Sequence, residues 1–488
     1  MDAPTGLGSA RVVMDAYRSV TEEHDCALEV VRGQVPQDLR GVLYRNGPGR
    51  VRIGDDVYDH PFDGDGMVLR VAFGEGAVRY RNRYVRTREF LEEEAAGRMR
   101  YRAFGTNLPG GLLRNFGRVR FKNAANTSVR LHGGHLLALW EGGLPHTLDP
   151  ETLETLERFD YGGALTAAAG RSWIERAITP ELPFAAHPRL DPVTGELFSF
   201  GTLLGRHNQL LLYRVAPSGT LDRTERIPLD GLAFVHDFVL TQKHRIFFLT
   251  AVEFGVLPAL GGLVAPAAAI RERAGAPVRI LVVPRDGGPP IAIEAPPCFV
   301  FHHINGYDEG DGRVVVDSLR MDRYPRGDID FDDPWSLLRF DYPPPRPTRF
   351  TLDLQRRSVS ERLLTDTPME LPTIHPRRAT RRHRYVYAQA ASDPEFSTPA
   401  MTRVAKLDVD TGETLERELA PDLPSEPVFV PRPGASAEDD GYVLVVVYRA
   451  DTRRSELVLF DAADLSERAA LALPHHVPPG FHGLFVAD

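Results

Sequence analysis

The sequence predicts an all-β fold of the propeller type, on three observations. Short apolar, β-branched or aromatic runs recur along the chain, among them "HLLALW", "QLLLYRV", "RIFFLTAV", "RVVVDSL" and "YVLVVVYRA", nearly all bounded by turn residues. Long helical periodicity is scarce. One turn pattern repeats: "DPETLE" (149–154), "DPVTGE" (191–196) and "DVDTGE" (408–413), with a weaker echo in "DAADLSE" near Asp461. Asp at the head of such a turn bonds the backbone amides that follow, so each is a hairpin tip between short antiparallel strands. Many short strands with repeated hairpins over several hundred residues suggest a propeller, here without a WD or kelch signature.

The 488 residues contain no Pro/Gly/Ser-rich linker that divides them cleanly; "DYPPPRPTRF" (341–350) is short enough for an interblade loop. One domain over 1–488 is expected, with 1–25 as an N-terminal extension. The helix candidates are "TREFLEEEAAGRM" (87–99), a charged surface helix, and part of "GGALTAAAGRSWIERAI" (162–178). The composition, 42% hydrophobic and 26% charged, allows a sizeable core. The net charge of -9 argues against nucleic acid as a partner. Cys26 and Cys298 offer neither a disulfide framework nor a cysteine zinc site, and no secretory signal is read at the N-terminus, so a reducing cytoplasm is expected. The segment "FGVLPALGGLVAPAAAI" (254–270) is too short and too interrupted by Pro and Gly for a membrane span. It reads either as buried core or as an apolar surface patch that dips into one leaflet.

Seven polar residues sit in or beside apolar strand-like runs: Glu141, His187, His236, His302, Glu370, Glu426 and His482. Their separations are 46, 49, 66, 68, 56 and 56 residues, a mean of about 57. A four-stranded blade takes ~40–50 residues, more with long loops. One such residue per blade, at the same point of each, would converge on the propeller axis. Four imidazoles there would bind a divalent transition metal; Fe, Zn, Cu and Ni all remain open. Zinc closes at four tetrahedral ligands, whereas four His on part of an octahedron leave open positions that suit iron and O2. The three Glu read as acceptors for the second ring nitrogens of the ligands. Two other motifs read more simply. "FDGDGM" lacks the remainder of a calcium loop and is a turn. His475 and His476 in "LPHHVPP" form a second His pair outside the seven-residue series.

At these residues the sequence resembles the carotenoid cleavage oxygenase family. The motifs run in order from "GVLYRNGPGR" (41–50) through "DHPFDGDGM", "FKNAANTSV", "LLALWEGGLPHTLDPETLET", "AAHPRLDPVTGEL", "VHDFVLT", "FHHIN" and "SEPVFVPRP" to "GFHG" near the C-terminus. The resemblance implies a seven-bladed β-propeller with loops and short helices capping one face. It implies Fe(2+) on the axis held by His187, His236, His302 and His482, with Glu141, Glu370 and Glu426 behind them. It places Thr127 near an occluded coordination position. Stilbene-cleaving relatives carry a Lys before the first glutamate, where this chain has Trp140, and tend to carry a Tyr where it has "FGTNLPGG" (104–111). The implied activity is therefore O2-dependent cleavage of an apocarotenoid double bond to two carbonyls such as retinal-type aldehydes. A stilbene dioxygenase, a retinoid isomerohydrolase and a non-catalytic propeller scaffold are the alternatives. The resemblance also favours the patch reading of 254–270, with a cytoplasmic enzyme peripheral on the membrane. Of the "FHHIN" pair, successive strand residues face opposite ways. The family pattern selects His302 for the metal and turns His303 away.

Overall fold

Strand after strand alternates direction in seven antiparallel sheets arranged as propeller blades, with a small extra hairpin, Arg52–Ile53 with Asp56–Val57. The computed structural model describes residues 5–118, 120–166, 181–203, 207–327, 329–394 and 400–488. Six blades follow in chain order: blade 2 (128–158), blade 3 (189–228), blade 4 (232–295), blade 5 (299–363), blade 6 (369–418) and blade 7 (423–472). Blade 1 is composite. Gly41–Arg50, Asp65–Phe73 and Arg79–Tyr84 come from near the N-terminus, and Gly483–Ala487 from the C-terminus pairs Gly41–Arg50 from Gly41↔Ala487 to Arg45↔Gly483. Two early strands close the outside: Asp25–Ala27 edges blade 1 and Glu29–Gly33 edges blade 7. Both chain ends are thus stitched into the ring.

The side-chain patterns follow from position in the blade. Gln209–Val215 lies inside blade 3 and is largely buried on both faces, as a strand packed between two neighbouring blades must be. Leu221–Pro228, at the outer edge, alternates half-buried and exposed residues. The apolar side chains form one cluster at every junction between blades. Tyr44 and Val68 meet Val129 and Leu136; Leu137 and Leu139 meet Leu197 and Leu211; Phe198 and Leu212 meet Phe247 and Leu281. The ring continues with Ile246 and Ile280 against Val314 and Val316, Leu319 against Val386, Tyr387 against Val443, and Leu444 against Leu43. The core is therefore distributed between sheets, which leaves the axis free for polar residues.

The repeated turns form as expected. The amides of Glu151 and Thr152 donate to Asp149 Oδ1 (2.9 and 2.7 Å), Val193 N to Asp191 Oδ1 (2.8 Å), Asp410 N to Asp408 Oδ1 (3.0 Å) and Ala463 N to Asp461 Oδ1 (3.0 Å). The helix Arg88–Ala96 is capped by Thr87 Oγ1, which accepts from Phe90 N, and stops at Gly97 with φ 61°. The helix expected within 162–178 lies mostly outside the described residues. The N-terminal extension carries a helix, Thr5–Ala16, which packs its Ala10 against Leu337 of the short helix Pro334–Arg339. "FDGDGM" is not a free turn but runs from the 3-10 helix Pro61–Asp63 through Gly64 into the strand Asp65–Phe73, with its carboxylates used internally: Asp63 accepts from Gly105 N and Thr106 Oγ1, and Asp65 pairs with Arg50 and Lys122.

Candidate metal centre

Six of the seven blades deliver their site residue from an irregularity in or beside the innermost strand. His187 directly precedes the region of Arg189–Leu190, and His482 abuts Gly483–Ala487. His236 sits in the gap between Leu232–Phe234 and Val239–Leu240, and Glu426 in the gap between Leu423–Pro424 and Val428–Pro431. Blade 5 is bulged on both sides of His303, and blade 6 shifts register after Glu370, where Leu371 takes φ 54°. Such breaks release a side chain from the pleat and let it turn to the axis.

Blade 2 departs from the expected pattern of one ring residue at the same point of each blade. Its innermost strand, Ser128–His132, begins after Thr127, whereas Glu141 follows the second strand, His135–Leu139. The second strand runs back towards the same face, so Glu141 still reaches the group, but from the side and with its side chain 33% exposed.

His187, His236, His302 and His482 come together so that one nitrogen from each lies within 4.8 Å of the others. His187 Nε2 and His236 Nε2 are 3.0 Å apart. The opposite ring nitrogens are held. His302 Nδ1 lies 2.5 Å from Glu370 Oε2, His482 Nδ1 2.8 Å from Glu426 Oε1, and His236 Nδ1 3.0 Å from Glu141 Oε1. At His302 and His482, donation from Nδ1 to the carboxylate fixes the tautomer and presents the Nε2 lone pair to the centre, whereas Glu141 stands beside His236 at ion-pair distance without a hydrogen bond. His302 Nε2 is buried without a hydrogen-bond partner, as a ligand atom would be. Among the described residues His187 has no carboxylate of its own, which accounts for four histidines and three glutamates. Burial and its three neighbouring imidazoles push the His187 pKa well below the usual value. Burial lowers His482 too. At His302, burial acts downward, but the Glu370 carboxylate outweighs it and the pKa rises. The donor set fits a metal ion.

Thr127 is buried beside this group, its carbonyl accepting from His482 N (3.2 Å) and its Oγ1 bonded to Asn126 Oδ1 (3.1 Å). His303 turns the other way: its Nδ1 is 2.7 Å from Ser318 Oγ, its amide donates to Asp237 Oδ2, and its ring packs 4.9 Å from Phe248. We expect His303→Asn to retain a full equivalent of metal in elemental analysis; loss of metal in a folded variant would show that it serves the centre. His475 and His476 lie apart from the cluster, one 2.8 Å from Tyr80 OH, the other 2.8 Å from the Arg18 carbonyl.

Several features were missed from sequence. Phe234, Phe299, Phe301 and Tyr324 form an aromatic group that reaches His236, with Phe301 edge-on 5.5 Å away. Its only sequence signal was the aromatic pair flanking Val300. The segment 254–270 is not buried core: Leu257 is 83% and Leu263 67% exposed. Leu112, Leu113 and Phe116, which sequence reading left out, extend the same surface, since Gly262 packs directly on Asn115 and Phe116. Buried Arg102 ties the region together, donating to the carbonyls of Ala259 (2.7 Å), Val264 (2.9 Å) and Arg118 (3.1 Å). Among the described residues no helix is long and apolar enough to cross a membrane.

Comparison with known proteins agrees with this geometry. The family model described as "Retinal pigment epithelial membrane protein" matches residues 17–487. The chain is 40% identical over 479 residues to the apocarotenoid-15,15'-oxygenase of Synechocystis sp., covering 96% of this chain and 94% of that one. It is 30% identical to the isoeugenol monooxygenase of Pseudomonas nitroreducens, over 93% of this chain and 94% of that one. The crystal structure of cobalt-substituted Synechocystis ACO superposes with a TM-score of 0.90 at 37% identity, covering 98% of this chain and 99% of the other. With a matching family model, a shared seven-bladed fold and near-complete coverage, the chain belongs to the retinal pigment epithelial membrane protein family, the carotenoid cleavage oxygenases.

Proposed function

We propose that this chain is a non-haem iron(II) dioxygenase that cleaves one C=C bond of an apocarotenoid with O2. One alkene and one O2 give two carbonyl products, aldehydes of the retinal type. The observation that carries the reading is the group of four converging histidines, three of them backed by glutamate, in a chain 40% identical to an apocarotenoid-15,15'-oxygenase. His187, His236, His302 and His482 are the ligands. Glu370 and Glu426 would orient His302 and His482, Glu141 would support His236 from ion-pair distance, and Thr127 would lie close to the bound ion. A ferrous ion bound there supplies the centre at which O2 is activated; the cobalt-substituted relative supports a divalent ion of this size.

The chain's own residues account for the remaining requirements. Phe234, Phe299, Phe301 and Tyr324 offer an apolar wall that orients a polyene by shape and ring contact rather than by hydrogen bonds. Trp140, whose ring lies over Gly142, replaces the lysine that a phenolate substrate would need. No general acid or base is required. The exposed patch of Leu257, Leu263, Leu113 and Phe116 supports peripheral contact with the membrane that holds such substrates.

Anaerobic protein loaded with Fe(II) should convert a panel of apocarotenals, on addition of 18O2, to two aldehydes each carrying label, and should leave stilbenes uncut. Cleavage of stilbenes alone would transfer the reading to phenolic substrates. Ester cleavage without O2 uptake would make the chain an isomerohydrolase, and a protein that holds no iron and consumes no O2 would be a binding scaffold. Burying one leucine contributes ~1.5–3 kcal/mol. Leu257→Glu with Leu263→Glu should therefore weaken liposome co-sedimentation at least about tenfold and spare turnover of detergent-solubilised substrate. Unchanged sedimentation would remove the patch from membrane contact.

A further inference from the structure

Beyond the histidines the propeller carries positive charge, buried at Arg45 and half-buried at Arg130 and Arg189, that the metal reading does not use. Arg45 leaves the strand Gly41–Arg50 opposite Gly483, and only a glycine there lets it pass: a Cβ at Gly483 would lie 2.8 Å from Arg45 Cγ. The side chain is 3% exposed. Its Nη1 donates to the Glu426 carbonyl (2.5 Å) and stands 3.9 Å from Glu426 Oε2, while Nη2 is buried with no partner. Arg130 lies on the innermost strand of blade 2, three residues past Thr127. It makes one long bond, Nη2 to the Pro188 carbonyl (3.4 Å); its Nε is buried without a partner, and among the described residues it has no ion pair. Arg189, two residues past His187, already pairs with Asp237 and donates to the carbonyls of Phe238 and His303.

The carboxylates nearby are committed. Glu426 accepts from His482 Nδ1 and Gly483 N, and Asp237 from Arg189 and the His303 amide. Three guanidinium groups thus share two carboxylates, and Arg130 has Arg189 as a neighbour of like charge. Burial and that repulsion pull the Arg130 pKa down to about 10, so it remains a cation at neutral pH. A water molecule would satisfy the orphaned N–H groups but would add no negative charge beside Arg130, whose one nearby carboxylate, Glu426, is already shared with Arg45 and His482.

We propose that Arg130, with Arg189 as its neighbour of like charge, binds a small monovalent inorganic anion of the chloride or bicarbonate class within the propeller, beside the Pro188 carbonyl. The proposal stands on the arginines and is independent of which metal the histidines hold. Protein crystallised from bromide at tens of millimolar should give an anomalous peak within hydrogen-bond reach of Arg130 Nε. In solution, chloride replacing gluconate at constant ionic strength should raise the melting temperature and saturate, and Arg130→Gln should abolish both the peak and the rise. Two outcomes overturn the proposal: water-like density with no anomalous signal in the wild-type protein, or a peak confined to molar bromide, which is an adventitious ion only. A chloride-dependent rise of equal size in Arg130→Gln also overturns it, since the anion would then act elsewhere.

Discussion

His482→Ala is expected to strip the metal from the folded protein and to abolish oxygen-dependent cleavage. The loss should be local. The closing strand Gly483–Ala487 keeps its pairing with Gly41–Arg45, and the two backbone bonds at position 482, Asn46 N to its carbonyl (2.9 Å) and its amide to Thr127 O (3.2 Å), do not need the imidazole. Glu426 keeps the Gly483 amide (2.7 Å) and Arg45 as partners, so no bare buried carboxylate is created. Three ligands remain where four converged. Altering a residue that only orients a ligand costs about 10–100-fold in metal affinity. Removing the ligand should cost more than about 100-fold, and Glu426→Gln should fall inside that lower range. Chelator competition with elemental analysis measures both, and circular dichroism confirms the fold. A folded His482→Ala protein that holds a full equivalent of metal would sink the ligand assignment.

The seven residues stood out because each lies in or beside an apolar run and matches a family motif, and the four histidines among them do come together. Their pairing was not legible. His302 meets Glu370 across 68 residues and His482 meets Glu426 across 56, and no local pattern encodes contacts between blades. Position within the blade misled at Glu141: its spacing fits the series, yet it ends a second strand while Thr127 holds the inner one. The helix Arg88–Ala96 was readable from Thr87 and Gly97, since caps are local signals. The closure by Asp25–Ala27, Glu29–Gly33 and Gly483–Ala487 joins residues more than 400 apart in the case of Val30 and Leu471, which periodicity cannot see. The burial of Arg45, Arg102 and Lys122 has no local sequence signal either, because groups that bury and satisfy them come from distant segments.

Lys122→Met is expected to lower stability by about 3 kcal/mol, the low end of the cost of breaking a buried ion pair. Lys122 and Glu93 are fully buried, with Nζ 2.7 Å from Glu93 Oε2 and 2.6 Å from Asp65 Oδ1, and Nζ also bonds Tyr58 OH. The low end applies because the carboxylates keep other partners. Asp65 retains Arg50 (2.7 Å), and Glu93 retains the amides of Arg100 (2.9 Å) and Tyr101 (3.2 Å) and the Tyr58 hydroxyl (3.1 Å). Pairing Lys122→Met with Glu93→Leu should recover part of the loss, because an apolar pair leaves less unpaired charge. Equilibrium urea unfolding of the single and double variants tests this, and a Lys122→Met protein within about 0.5 kcal/mol of wild type would show that the network contributes little. The consequence reaches the centre. Lys122 begins the stretch that leads through Asn126, whose amide holds the carbonyls of Phe62 (2.8 Å) and Gly64 (2.7 Å), to Thr127 beside His482. Loosening Lys122 therefore frees the helix Arg88–Ala96, through Glu93, and the approach to the inner strand of blade 2 together.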